Sequence, residues 1–79
     1  MSARVLFFGA TANIANKREI DVAVENGLTV TRVLEAIVSQ IPGLASHKLH
    51  ISINQQYADG DELVQEGDEL AIFTAVSGG

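Results

Sequence analysis

The sequence predicts an α+β fold: a mixed β-sheet with one main amphipathic helix packed on one of its faces. Three observations support this prediction: strand-like apolar segments near both ends of the chain, one clear helical period in the middle, and a length of 79 residues. A chain this short holds one small core, because a domain of about 60 residues buries only about 60% of its unfolded surface. We therefore expect one domain over residues 1–76 and an extended tail over residues 77–79.

The first part of the chain predicts two strands. Residues 3–9 are apolar, β-branched or aromatic and end at glycine, as is typical of a strand with apolar residues on both faces. Residues 10–17 mix small and polar types and predict a loop or a short helical turn. Residues 19–24 alternate polar and apolar types, so the second strand should direct its apolar residues inward: Ile20, Val22 and Val24.

One amphipathic helix is the clearest element of the sequence. Thr29 is the expected N-cap, because a threonine side chain can accept a hydrogen bond from a free N–H of the first turn. Pro42-Gly43 ends the helix, because proline cannot continue it and glycine lets the chain reverse. Between them, apolar residues recur with the period of one helix face: Val30, Val33, Leu34, Ile37, Val38 and Ile41.

The remaining residues predict three more strands. Leu49, Ile51 and Ile53 alternate with polar residues and form the third strand. A tight turn at 54–56 leads to a short return strand that begins at Tyr57-Ala58, and the last strand runs over residues 70–76. Before it come two similar segments that predict consecutive turns, each with one apolar anchor: Gly60-Asp61-Glu62-Leu63 and Gly67-Asp68-Glu69-Leu70.

The predicted element order is β-β-α-β-β-β. The first and last strands are the most apolar, so they should lie side by side at the centre of the sheet. Because the whole chain separates them, they can pair in parallel. This is the β-grasp arrangement of ubiquitin-like proteins.

Composition excludes several classes of function. The chain has 5 Lys+Arg and 10 Asp+Glu and no basic patch, which argues against nucleic-acid binding and favours a basic protein partner. The absence of cysteine excludes disulfides, zinc-thiolate sites and a cysteine nucleophile. No apolar run approaches the roughly 18 residues of a membrane span, and no signal-peptide pattern opens the chain. We expect a soluble cytoplasmic protein.

No metal site is predicted. His47 and His50 lack a third ligand at a suitable spacing and are expected to be solvated. The acidic residues of the second half lack the spacing of an EF-hand. They predict a solvated face that steers docking onto a basic partner: Asp59, Asp61, Glu62, Glu66, Asp68 and Glu69.

Two successive glycines follow the last apolar residue. Gly78-Gly79 offers no side chain to bury and loses backbone entropy when ordered, so it contributes little to a packed domain. One interpretation is a frayed tail. The other is functional: residues without side chains can thread a narrow channel in another protein, with the terminal carboxylate of Gly79 as the reactive group.

A carboxylate is a poor electrophile and must first be activated, usually as an acyl-adenylate. The chain has no Gly-x-x-x-x-Gly-Lys loop for phosphate. We therefore expect no bound cofactor, and a partner enzyme that supplies the ATP chemistry. The activated carbonyl can then accept sulfur and become a thiocarboxylate, or accept a lysine amine. A thiocarboxylate would carry sulfur on a chain without cysteine.

Three segments give the chain a resemblance to a known family: Val5-Leu6-Phe7-Phe8, Ile53-Asn54-Gln55, and Gly67-Asp68-Glu69-Leu70-Ala71-Ile72-Phe73 followed by Val76-Ser77-Gly78-Gly79. They resemble the ThiS-MoaD family of ubiquitin-like sulfur carriers, and most specifically the MoaD-type small subunit of molybdopterin synthase. The resemblance covers the whole chain. Thr74-Ala75 stand where that family usually has two prolines.

This resemblance implies a role in sulfur transfer. Gly79 would be adenylated by a MoeB/ThiF-like activating enzyme and converted to a thiocarboxylate, with Ser77 and Gly78 completing the tail. The carrier would dock on a MoaE-like large subunit, which would supply the catalytic side chains. Sulfur would pass to cyclic pyranopterin monophosphate to form the molybdopterin dithiolene. The chain would be non-catalytic on its own.

Strand phase and the resemblance together suggest a docking face. Alternate residues of the last strand should face the helix: Leu70, Ile72, Thr74 and Val76. Phe73 then points outward, and the exposed apolar patch of the family corresponds to Phe8, Tyr57 and Phe73. We expect these three residues to bind a partner, because an exposed aromatic cluster marks an interface. The alternative is that they are core aromatics under a loop.

Three other functions remain open at this point. One is a thiamine-pathway carrier of the ThiS type, against which the phenylalanine-rich first strand argues. Another is a ubiquitin-like modifier that is conjugated to lysines. The third is a plain β-grasp interaction module whose Gly-Gly is incidental, and a thiocarboxylate mass shift would separate the carriers from it.

Overall fold

The first and last strands lie together in the middle of the sheet. In the computed structural model, which describes residues 1–74, β1 (Ser2–Phe7) and β5 (Glu69–Thr74) are neighbours and run parallel, with Val5 opposite Leu70. This confirms the predicted β-grasp pairing. The residues expected to complete the last strand, 75–76, and the predicted tail, 77–79, lie outside the described residues.

Three more strands complete a five-stranded sheet in the order β2-β1-β5-β3-β4. β2 (Glu19–Ala23) is antiparallel to β1, β3 (Leu49–Ile53) is antiparallel to β5, and β4 (Gln56–Tyr57) is antiparallel to β3. β4 begins one residue earlier than predicted. The turn contains only Asn54 and Gln55, whose φ angles of 49° and 71° are those of a two-residue hairpin turn.

The helices show one confirmed prediction and one that was incomplete. α2 (Val30–Gln40) begins at Thr29, whose side chain accepts a hydrogen bond from the Arg32 N–H at 3.2 Å, as predicted for an N-cap. The short helical turn expected near residue 10 is α1 (Ala10–Ala15). Pro42 does end α2, but it also starts a 3-10 helix (Pro42–Ser46), because proline fits the first helical position.

The core lies between α2 and one face of the sheet, which we call the inner face. Its largest fully buried side chains come from the two central strands, α2 and the 3-10 helix. They are Val5, Val30, Val33, Ile37, Leu44, Leu70 and Ile72. Three residues of the predicted helix stripe are thus fully buried, whereas the other three are partly buried against this core: Leu34, Val38 and Ile41. The three predicted inward residues of the β2 region are partly buried against this core: Ile20, Val22 and Val24.

The long segment between β4 and β5 departs from the prediction at one residue. Leu63, expected to be an apolar anchor, is 57% exposed, whereas the next residue, Val64, is buried. The reason is backbone pairing, since Leu63 forms an isolated bridge with Thr29 and the Val64 N–H donates to the Leu28 carbonyl at 2.8 Å. That pairing turns Val64, not Leu63, into the core.

The Glu62 carboxylate closes the turn in this segment. It accepts the backbone N–H groups of Asp59 and Gly60, both at 2.8 Å. The pKa of Glu62 is held below its ordinary value of 4.5, first by the Asp59 N–H and then by the N–H groups of Glu62 itself and Gly60. The same turn is tied to α2, because the Thr31 hydroxyl donates to the Gly60 carbonyl at 3.0 Å.

These hydrogen bonds predict a pH dependence of stability. A carboxyl whose pKa is lowered in the folded state stabilises the fold above its unfolded pKa, and this contribution is lost as the pH falls through the lowered value. We expect the melting temperature of the wild type to fall more steeply below pH 4.5 than that of Glu62→Gln. Thermal melts of both proteins across that range test this, and parallel pH profiles would contradict it.

Candidate functional site

The face of the sheet opposite α2, which we call the outer face, contains no buried side chain among the described residues. Strand register places alternate residues of all five strands on it, because directly paired residues point to the same side. Its members are Ser2, Arg4, Leu6, Glu19, Asp21, Ala23, His50, Ser52, Tyr57, Glu69, Ala71 and Phe73. An uncovered face with large aromatic side chains is a candidate interface.

An aromatic cluster occupies one end of this face. Phe73 of β5 lies opposite His50 of β3, and the two rings stack with centroids 5.7 Å apart and planes at 20°. Tyr57 of β4 also lies close to Phe73. The centroids of these two rings are 5.9 Å apart, and their planes are tilted by 59°. Such distances are typical of favourable aromatic pairs. We call His50, Tyr57 and Phe73 the aromatic cluster.

The structure confirms the strand phase predicted for the last strand. Ile72 is fully buried, Thr74 is paired with Leu49 on the inner face, and Phe73 is half-buried on the outer face. Tyr57 is 79% exposed. The alternative of core aromatics therefore does not hold for Tyr57 or Phe73.

His50 was missed as a member of this cluster. Its alternation with Leu49 and Ile51 already places it on the outer face, and that signal was present in the sequence. What the sequence lacked was the register that brings His50 opposite Phe73, because β3 and β5 are separated by a long irregular segment.

Within residues 1–74 no group of three His, Cys, Asp or Glu side chains is arranged to hold a metal ion.

Phe8, the third expected docking residue, lies apart from the ring contacts. It follows β1 and is 51% exposed, and neither ring pair of the aromatic cluster includes it. Its N–H donates to the Ile72 carbonyl at 3.0 Å, so it stays at the same end of the sheet as Phe73. Phe8 and the aromatic cluster are therefore two separate apolar contact points. Both lie near Thr74, the last described residue of β5.

A buried threonine fixes this end of β5. The Thr11 side chain is fully buried, and its hydroxyl lies 2.6 Å from the Phe8 carbonyl and 2.9 Å from the Ile72 carbonyl. The Ile72 carbonyl thus accepts a hydrogen bond from the Phe8 N–H, just after β1, and shares the Thr11 hydroxyl of α1 with the Phe8 carbonyl. These hydrogen bonds hold the backbone of β5 immediately before Phe73.

The predicted reactive tail follows directly in the sequence. Ser77, Gly78 and Gly79 lie outside the described residues, whereas Thr74 is the last residue described. Five residues of extended chain span at most about 17 Å. This length is the upper limit on the distance between Thr74 and the Gly79 carboxylate.

Comparisons with known proteins agree with this geometry. Residues 5–79 match the model of the ThiS family. The chain is 37% identical to the molybdopterin synthase sulfur carrier subunit of Drosophila melanogaster, covering 100% of this chain and 92% of that one. It is 35% identical to small archaeal modifier protein 1 of Haloferax volcanii, covering 91% and 94% of the two chains. The crystal structure of SAMP1 from Haloferax volcanii superposes with a TM-score of 0.86 at 31% identity over the whole of both chains.

No helix within residues 1–74 has the length and apolar character needed to cross a membrane. A surface depression of about 440 Å³ lies beside Phe8 and is lined by residues that include Leu6, Ala12 and Arg18.

Two phenylalanines of neighbouring strands provide a test of the outer face. Phe7 is buried on the inner face, so Phe7→Ala should lower the free energy of unfolding by about 3–5 kcal/mol. Phe73 is half-buried and packs against the rings of His50 and Tyr57. Phe73→Ala should therefore lower the free energy of unfolding by only about 1–2 kcal/mol. Urea denaturation of both variants measures the difference. Equal losses would show that Phe73 belongs to the core.

Proposed function

The chain belongs to the ThiS family, and on that premise we propose that it is a sulfur carrier that forms the small subunit of a molybdopterin synthase. One observation supports the choice of pathway most directly: the 37% identity, over the whole chain, to a relative named as the sulfur carrier subunit of that enzyme. The architecture also supports the proposal, because the reactive tail would extend from a central strand that carries a half-buried aromatic residue, Phe73, on the outer face.

The proposed chemistry takes place at the carboxylate of Gly79, to which the family match extends. A carboxylate oxygen attacks the α-phosphorus of ATP on an activating enzyme, which gives an acyl-adenylate and pyrophosphate. A sulfur donor then displaces AMP from the carbonyl carbon and leaves a thiocarboxylate. No side chain of the carrier takes part in either step, which is consistent with a chain that lacks cysteine.

Sulfur transfer would then take place on a large subunit that supplies the catalytic side chains. The tail would enter the active site of that subunit and pass its one thiocarboxylate sulfur to cyclic pyranopterin monophosphate, leaving a carboxylate on Gly79. Two such cycles would supply the two sulfur atoms of the dithiolene. Gly78 and Ser77 are suited to this entry, since small side chains need little room. The chain thus contributes a cosubstrate and a docking face.

We assign docking to Phe8, Tyr57 and Phe73, with His50 as a supporting residue. These side chains lie near the end of β5 that precedes the tail. A partner that binds them would therefore also be close to the tail. Partly exposed aromatic side chains are the residue types that most often dominate binding energy at interfaces.

A second function is supported by the 35% identity to small archaeal modifier protein 1. A modifier would share the adenylation step, after which a lysine amine of a target would attack the carbonyl and form an isopeptide bond. The two functions differ in their product: a thiocarboxylate on the free chain for a carrier, and a branched Gly79–lysine linkage for a modifier.

The reactive terminus gives the first test. Deletion of Gly79 should leave the melting temperature unchanged, because Gly79 lies beyond the last apolar residue, and should abolish sulfur transfer in a reconstituted assay. With the activating enzyme, ATP and a sulfur donor, the intact chain should gain the mass expected for replacing one oxygen by sulfur. Full transfer activity of the truncated protein would refute the carrier proposal.

The docking face gives the second test. Phe73→Ala should weaken binding to the large subunit by about 2 kcal/mol or more if Phe73 is an interface anchor. Leu63→Ala is the matched control, because Leu63 is also a large exposed apolar residue but lies outside the outer face. Calorimetric titration of both variants is the measurement, and equal affinities would remove Phe73 from the interface.

A further inference from the structure

The sheet has an open edge at β2. Within residues 1–74, β2 pairs only with β1, and the Val24 N–H donates to the Met1 carbonyl at 3.1 Å. In an antiparallel pair every second residue of a strand directs its N–H and C=O groups to the neighbouring strand, and the residues between direct theirs to the opposite side. Val24 belongs to the set that bonds to the β1 side. The N–H and C=O groups of Glu19, Asp21 and Ala23 are therefore directed away from β1, toward the open edge.

A largely apolar groove runs beside this edge. It lies between β2 and α2, has a volume of about 240 Å³, and is lined by residues that include Val22, Leu28, Arg32, Val33 and Ala36. An added strand would direct alternate side chains to the inner side of the sheet, which is the side of this groove. Apolar side chains of moderate size would fit there.

The outer side of the same edge is acidic. Glu19 and Asp21 project from the outer face of β2 and share one cation, Arg4 of β1. The Arg4 Nε atom lies 3.5 Å from the Glu19 carboxylate, and Arg4 is the cross-strand partner of Asp21. Glu69 of β5 is the cross-strand partner of Arg4 on its other side, so three carboxylates share this arginine on the outer face, whereas Arg32 lines the groove on the inner side.

The charges disfavour a second copy of this chain as the occupant. In a two-fold antiparallel pairing of β2 with itself, a centre at Asp21 places the two Asp21 side chains opposite each other, and a centre at Ile20 places Asp21 opposite Glu19. Like charges directly opposite are destabilising in a sheet. Basic side chains at the same positions would instead be complementary.

We propose that the β2 edge and its groove bind an extended segment of a partner protein in which Lys or Arg alternates with Val, Ile or Leu. The segment adds as a sixth strand next to the five present, by the mode of recognition known as strand addition. Its backbone pairs with Glu19, Asp21 and Ala23, its apolar side chains enter the groove, and its basic side chains lie beside Glu19 and Asp21. The site is independent of the tail and of sulfur transfer.

The test uses the full chain and an acetylated, amidated peptide of alternating lysine and valine. Backbone amide shifts followed by NMR should change first at Glu19, Asp21 and Ala23, and their hydrogen exchange should slow. Ala23→Pro removes a donor that points to the open edge and leaves the β1 ladder intact, so it should weaken binding about tenfold or more. A matching peptide of alternating glutamate and valine should bind more weakly than the lysine peptide.

Charge variants keep the test decisive if Ala23→Pro fails to fold. Asp21→Lys should weaken binding of the lysine peptide about three- to tenfold and improve binding of the glutamate peptide. Asp59→Lys makes the same change of net charge after β4, at the opposite edge of the sheet, and should have little effect. No change at the β2 amides, equal effects of the two charge variants, or dimerisation through β2 without peptide would each overturn the proposal.

Discussion

One five-stranded sheet with its main helix on a single face is the constraint from which the functional surfaces of this protein follow. A chain of 79 residues can bury one side of such a sheet and leaves the other side uncovered. The inner face therefore takes almost all of the residues needed for stability. The outer face is free to carry side chains chosen for contact with other proteins, and the aromatic cluster lies there.

This division also explains why the proposed chemistry needs no cleft. The buried positions are filled with apolar side chains, and the one buried polar side chain in residues 1–74, Thr11, hydrogen-bonds near the end of β5. A carrier that presents its own carboxylate needs only a fixed residue from which the tail extends and a surface that a partner can bind. Thr74 and the aromatic cluster lie at the same end of the sheet.

Local sequence patterns predicted most of the fold. The period of α2, the cap at Thr29 and the alternation in β5 each depend on neighbouring residues, and each was confirmed. The features that were missed depend on distant pairing: His50 meets Phe73 through strand register, and Leu63 is turned outward by its bridge to Thr29. The alternation of β5 likewise predicted that the Phe73 side chain points to the outer face. That Phe8 makes no ring contact with the aromatic cluster could be seen only in the three-dimensional structure.

The parallel pairing of β1 with β5 has a consequence for the order of events during folding. Arg4 pairs with Glu69, so the central contact of the sheet closes a loop that includes most of the chain. Contacts of such long sequence separation form slowly, because the entropy of loop closure is lost before the contact is gained. During synthesis the sheet cannot assemble until β5 has left the ribosome. A nascent chain therefore remains without its central strand pair, and without the Phe73 contacts of its aromatic cluster, until β5 has emerged.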